Sequence, residues 1–117
     1  MTKDLLKRLP ALYSQESNAD PMVICKFFTP DAGWTWYAIE GSPVDANGYC
    51  DTDKEKVDFV FFGLVSGFDV ELGYFSLSEL KGIRGKLGLP VERDLHFQPI
   101  RLSKAKKECG YIRWFSR

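Results

Sequence analysis

The chain has one histidine, His96, and three cysteines, Cys25, Cys50 and Cys109, none of them in a C-x-x-C spacing. An odd, scattered set of thiols supports neither a disulfide framework nor a zinc site, and it predicts free thiols in a reducing cytoplasm. A single histidine also argues against a zinc hydrolase. No apolar run approaches the ~20 residues that a membrane helix needs. The opening MTKDLLKRLP has no apolar stretch of the kind a signal peptide carries. Net charge is zero, from 16 basic and 16 acidic residues, so overall charge gives no argument for nucleic acid or a membrane surface as partner. G-x-S-x-G, H-E-x-x-H and kinase signatures are missing, as are repeats and low-complexity segments. No cofactor and no catalytic triad are expected.

What is present is a core. Hydrophobic residues make up 44% of 117 residues, enough for one domain, and aromatics reach 15%, nine of them Phe. That content favours a packed sheet or an interface over disorder. The stretch 59–97 organises the rest: it contains the longest apolar run, a turn signal, a capped short helix and the histidine. Strands are predicted at 22–28, 34–40, 58–66, 70–77 and 91–98 from β-branched and aromatic content bounded by Gly, Pro and Asp. The first two form a hairpin around Thr29-Pro30-Asp31-Ala32-Gly33, with Trp34, Trp36 and Ala38 on one face and Thr35, Tyr37 and Ile39 on the other. The segment 58–66 is apolar on both faces, as a central strand is, and Gly67-Phe68-Asp69 turns the chain into 70–77. Gly63 and Gly73 inside these strands signal a bulge or a close backbone approach. Short helices are expected at 3–9 and 78–84, the latter capped by Ser76 or Ser78. The fold class is therefore α+β: a single domain over 1–102 with an antiparallel sheet of about five strands and helices packed on it. A basic aromatic tail follows at 103–117, opening with a helix at 103–109 whose face is nearly all charged and whose packing is therefore slight. The expected core is Phe27, Ile39, Phe59, Phe61, Leu64, Val65, Leu72, Phe75, Leu80 and Leu95.

Three groups of residues carry candidate chemistry. Glu92, Asp94 and His96 alternate, so a strand at 91–98 puts all three on one face, roughly 6.6 Å apart, opposite Arg93, Leu95 and Phe97. Two carboxylates and an imidazole on one face suit an acid–base pair or a divalent ion, with Arg84 or Arg93 holding an anion; the bland alternative is a solvated edge strand. Trp34 and Trp36 are either core or stacking surfaces, one of them more exposed than the other. In the tail, Arg113, Trp114 and Phe115 interleave positive charge with aromatic rings, which suits a protein partner or nucleic acid, or docking on the acidic segment 40–58. That segment carries six acids against two bases, but it lacks the ligand order of a calcium loop. Arg84-Gly85-Lys86 has an anion-binding composition without P-loop spacing.

The segments KFFTPDAGWTWYAIEG, FFGLVSGFDVELGYFSLSEL and RGKLGLPVERDLHFQP resemble the family known as domain of unknown function 2958. The resemblance runs from LPALY to about Leu102; Tyr111–Arg117 resembles it less. It implies a small bacterial protein of plasmids, phages or other mobile elements, and it transfers no catalytic residue. The expectation is a non-enzymatic accessory protein that binds a host protein, for instance as an inhibitor of a host defence nuclease system. The alternatives are nucleic-acid binding through the tail and, third, a small enzyme at Glu92, Asp94 and His96.

Overall fold

Residues 3–109, which the computed structural model describes, run in the order α1 (Lys3–Arg8), β1 (Met22–Val23), β2 (Cys25–Phe28), β3 (Thr35–Val44), β4 (Asp58–Ser66), β5 (Val70–Ser76), α2 (Leu77–Gly82), β6 (Glu92–Arg93), β7 (Ile100–Arg101) and α3 (Leu102–Glu108). Five strands form one antiparallel sheet in the order β5-β4-β3-β2-β6, and β1 pairs with β7 in a separate two-stranded ladder. The fold is α+β, as the strand and turn pattern predicts.

The alternation of β3 builds two cores, one on each face of the sheet. Trp36 and Ala38 enter a cluster with Phe27, Phe59, Phe61 and Phe75, closed by Leu80 of α2 and by Leu9. Tyr37 and Ile39 enter a second cluster with Val23 and Leu64, closed by Leu102 and Ala105 of α3. A fully buried Phe or Leu contributes about 1.5–3 kcal/mol of transfer free energy, so both clusters matter energetically. The helix expected at 103–109 is therefore better packed than its charged face suggests. It begins one residue earlier, at Leu102, and the two residues it buries lie three apart.

Several expectations change in detail. The strand predicted at 22–28 is two strands. Pairing of β2 with β3 starts at Cys25, opposite Ala38 where β3 bulges against β4, and Met22 and Val23 pair with β7 instead. β3 continues through Gly41-Ser42-Pro43, which the composition reads as loop, because β4 pairs with it there and residues 10–12 hydrogen-bond along its other side. Only Glu92–Arg93 of the predicted 91–98 strand is formed. The Asp94 side chain accepts the N–H of His96 at 3.0 Å and its carbonyl accepts the N–H of Phe97 at 3.3 Å, so the chain turns where alternation predicts extension. Of the predicted core, Val65 is partly buried, while Leu72 and Leu95 are 44% and 73% exposed. Leu72 lies on the edge strand and Leu95 in the Asp94 turn, and among the described residues neither is covered by a further element.

Helix α2 is held at its start by two side chains. Ser76 caps it, its hydroxyl accepting the N–H of Glu79 at 3.1 Å. Asp58, across the sheet on β4, accepts the N–H and hydroxyl of Ser78 as well as the N–H of Phe59. Burial raises the Asp58 carboxyl, but these hydrogen bonds, from Ser78 first, outweigh it and hold the group below the ordinary value. Replacing Asp58 by Ala is expected to lower stability at pH 7 by about 1–2 kcal/mol in urea titrations. A depressed folded pKa contributes stability above the unfolded value and loses it as pH falls through the folded one. The gap between wild type and variant therefore narrows below about pH 4.

Candidate functional site

The turns of the two hairpins meet at one end of the sheet. In the first, the Thr29 hydroxyl accepts the N–H of Trp34 at 2.8 Å and the Thr29 N–H donates to the Trp34 carbonyl at 2.9 Å. Gly33 supplies the positive φ of 76° that brings the chain round. Trp34 is thereby fixed with its ring stacked on buried Trp36, centroids 6.0 Å apart. The second turn, between β4 and β5, places Gly67 directly beneath that ring. A Cβ at Gly67 would lie 2.2 Å from the indole, so glycine is what lets Trp34 seat there. The next residue, Phe68, meets Trp34 edge-on at 5.4 Å and is itself 93% exposed.

Beside Trp34 opens a shallow cavity of about 500 Å³. Its wall is Lys26 and Phe28 of β2, Trp34, Arg93 of β6, and the turn residues Asp94, Leu95 and His96. Lys26 lies 4.0 Å from the Asp94 carboxylate and 5.7 Å from the centre of the Tyr37 ring. The backbone N–H of Asp94 donates to the Lys26 carbonyl at 2.9 Å, which anchors the turn to the strand. The lining thus joins Lys26, Arg93 and His96 to Phe28, Trp34 and Leu95; Arg93, level with Phe27 in the ladder, also lines a smaller cavity with Leu77 and Leu80 of α2.

This geometry gathers four of the sequence-derived candidates, Trp34, Arg93, Asp94 and His96, and disperses the others. Glu92 pairs across from Phe28 and does not line the cavity. Because the strand stops at Arg93, the single face required for an acid–base trio of Glu92, Asp94 and His96 does not form, and the Asp94 carboxylate serves its own turn. Trp36 is core. Arg84 sits away from the cavity, its guanidinium folded onto the carbonyls of Lys81 and Ile83 at 2.8 Å each, so the Arg84-Gly85-Lys86 turn does not present it to an anion. Arg113, Trp114 and Phe115 lie outside the described residues. Lys26, Phe28 and Phe68 belong to this end of the sheet without having stood out in the sequence. Phe68 had a signal: a large aromatic in the middle of a tight turn has no core position to fill.

Surroundings shift three further groups. Burial pushes the Cys25 thiol up to about 12, which removes it as a nucleophile, and it pushes the Tyr37 hydroxyl up to about 12 as well. In the acidic segment, the Asp45 carboxylate accepts the Thr52 hydroxyl and the N–H groups of Tyr49 and Asn47, which hold it below its ordinary value. Among the described residues no group of three or more His, Cys, Asp or Glu is arranged to hold a metal ion, and no helix is long and apolar enough to cross a membrane.

A second cavity, about 360 Å³, lies on the face of β4 and β5 and is lined by Tyr13, Glu16, Phe62, Leu72, Tyr74 and Lys106, among others. Its back is formed by Glu40, which is 3% exposed and accepts the backbone N–H groups of Tyr13 and Gln15 at 2.9 and 2.7 Å. That carboxylate holds the 10–20 segment on the sheet and is not presented to a ligand.

Neither a curated protein nor a solved structure matches the chain. One family model does, over residues 1–108, and it covers both hairpins, the cavity and all three helices. The chain belongs to that family, described as protein of unknown function DUF2958.

Proposed function

We propose that this protein acts by binding another protein, and that the end of the sheet bearing Trp34 and Phe68 makes the contact. The observation that carries this reading is Phe68: a phenylalanine 93% exposed, held edge-on to a tryptophan that is itself seated by a glycine. Aromatic side chains are enriched at protein interfaces, and tryptophans there often carry much of the binding energy. Lys26 and Arg93 in the lining of the neighbouring cavity favour a partner surface that offers carboxylates. The mobile-element setting implied by the family resemblance makes a host protein, such as a component of a defence nuclease system, the first partner to test.

The test is affinity capture from the native host with wild type and with Phe68→Ala, followed by titration of the captured protein in purified form. Phe68 buries little in the free chain, so the variant is expected to fold with an unchanged melting temperature. It is expected to lose about 2 kcal/mol of affinity, roughly thirtyfold. Equal affinity of the two proteins for the purified partner would overturn the reading. Bound nucleic acid that dissociates steeply with salt would replace this reading with nucleic-acid binding.

A further inference from the structure

The two edges of the main sheet differ. β6, at one edge, is two residues long. β5, at the other, is seven residues long and, among the described residues, pairs only with β4. Its outer row of N–H and C=O groups is a template for another strand. Long edges are normally protected by Lys, Pro, a bulge or a covering element. β5 carries one charge, Glu71, no proline, and an unbroken register with β4 from Val70 to Ser76. Its outward side chains Leu72 and Tyr74 are 44% and 57% exposed, and Tyr74 contacts Phe62 at 4.9 Å and Tyr13 at 6.4 Å, so edge and adjoining face form one apolar, aromatic patch.

We propose that this edge is a self-association site, where β5 pairs antiparallel with β5 of a second copy about a two-fold axis through Gly73. The sequence is self-complementary in that register. Leu72 of each copy falls opposite Tyr74 of the other, which doubles the aromatic cluster on one face. Glu71 falls opposite Phe75, so the like charges do not meet. At the axis Gly73 faces its own symmetry copy, the two Cβ positions lying about 4.5–5.5 Å apart as in any directly opposed pair. Among the described residues nothing asks for glycine there: a Cβ at Gly73 has no neighbour within 4 Å, unlike one at Gly63 directly across the ladder. A second copy also suits the charge, since a chain of zero net charge does not repel itself. An interface of this kind is isologous and closed, ending at the dimer.

The site is separate from the Trp34–Phe68 end, so its test is independent of the proposed function. Sedimentation of the full chain is expected to show a concentration-dependent species of twice the 13.4 kDa chain mass. Leu72→Lys places a charge on the exposed edge and is expected to weaken dimerisation at least about tenfold while leaving the melting profile of the monomer unchanged. Gly73→Cys, in a Cys50→Ser, Cys109→Ser background, is expected to form a disulfide-linked dimer under mild oxidation, since directly opposed residues lie within disulfide reach. A wild-type chain that stays monomeric into the hundred-micromolar range overturns the proposal. So does a dimer that keeps its affinity in folded Leu72→Lys and gives no Gly73→Cys cross-link.

Discussion

Glu40→Gln is expected to destabilise the protein by about 2 kcal/mol and to free the segment 11–20 to protease, although it changes neither the size of the side chain nor a visible surface charge. Both carboxylate oxygens are acceptors, one for the N–H of Tyr13 and one for the N–H of Gln15. An amide offers one oxygen, and its NH2 would face a second backbone N–H, donor against donor. The cost is compounded by Tyr13, whose φ of 70° lies in the left-handed region, where a non-glycine residue needs support from its surroundings. With that support gone, the loop relaxes and the Tyr13 ring leaves Tyr74. Urea titration combined with limited proteolysis checks both parts. A midpoint within error of wild type, with the segment still resistant, would show that Glu40 does not hold it.

Gly63→Ala is expected to be the more severe change, about 3 kcal/mol or more, with loss of soluble protein as a realistic outcome. A Cβ there would lie 1.9 Å from the carbonyl oxygen of Tyr37, a backbone atom in the middle of the sheet that no rotamer change can move aside. Relief would require β3 and β4 to separate next to the bulge. Gly73→Ala is the control. It lies directly opposite Gly63 on β5, meets nothing within 4 Å, and is expected to be neutral or stabilising by up to about 1 kcal/mol. Thermal denaturation of the pair separates steric clash from the general effect of removing glycine from a strand.

The contrast also shows how much the sequence could reveal. Glycine inside a strand signalled a close approach, and at Gly63 the approach is there; at Gly73 it is not, because the same residue type answers to different neighbours. Both hairpins, the Ser76 cap and the opposed faces of 34–40 were legible, since each follows from local spacing and turn chemistry. Alternation over 91–98 does not settle a strand, because it is shared by extended chain and by a turn in which Asp94 bonds to the N–H two residues on. Leu72 and Leu95 were misplaced for another reason: hydrophobicity says what a side chain prefers, not whether an element lies nearby to cover it. At the candidate site, Trp34, Arg93 and His96 were visible as residue types, but their meeting depends on which strand is adjacent to β2. Lys26 and Phe28 became part of the site only through that pairing.

β3 donates Trp36 and Ala38 to one core and Tyr37 and Ile39 to the other. The two cores consequently have no independent existence. A strand shared residue by residue between them makes the loss of either face the loss of both, so the sheet opens as one cooperative unit. A perturbation under α3 is then felt beneath α2, on the opposite side of the sheet, through β3 and through β4, which gives Phe61 to one core and Leu64 to the other.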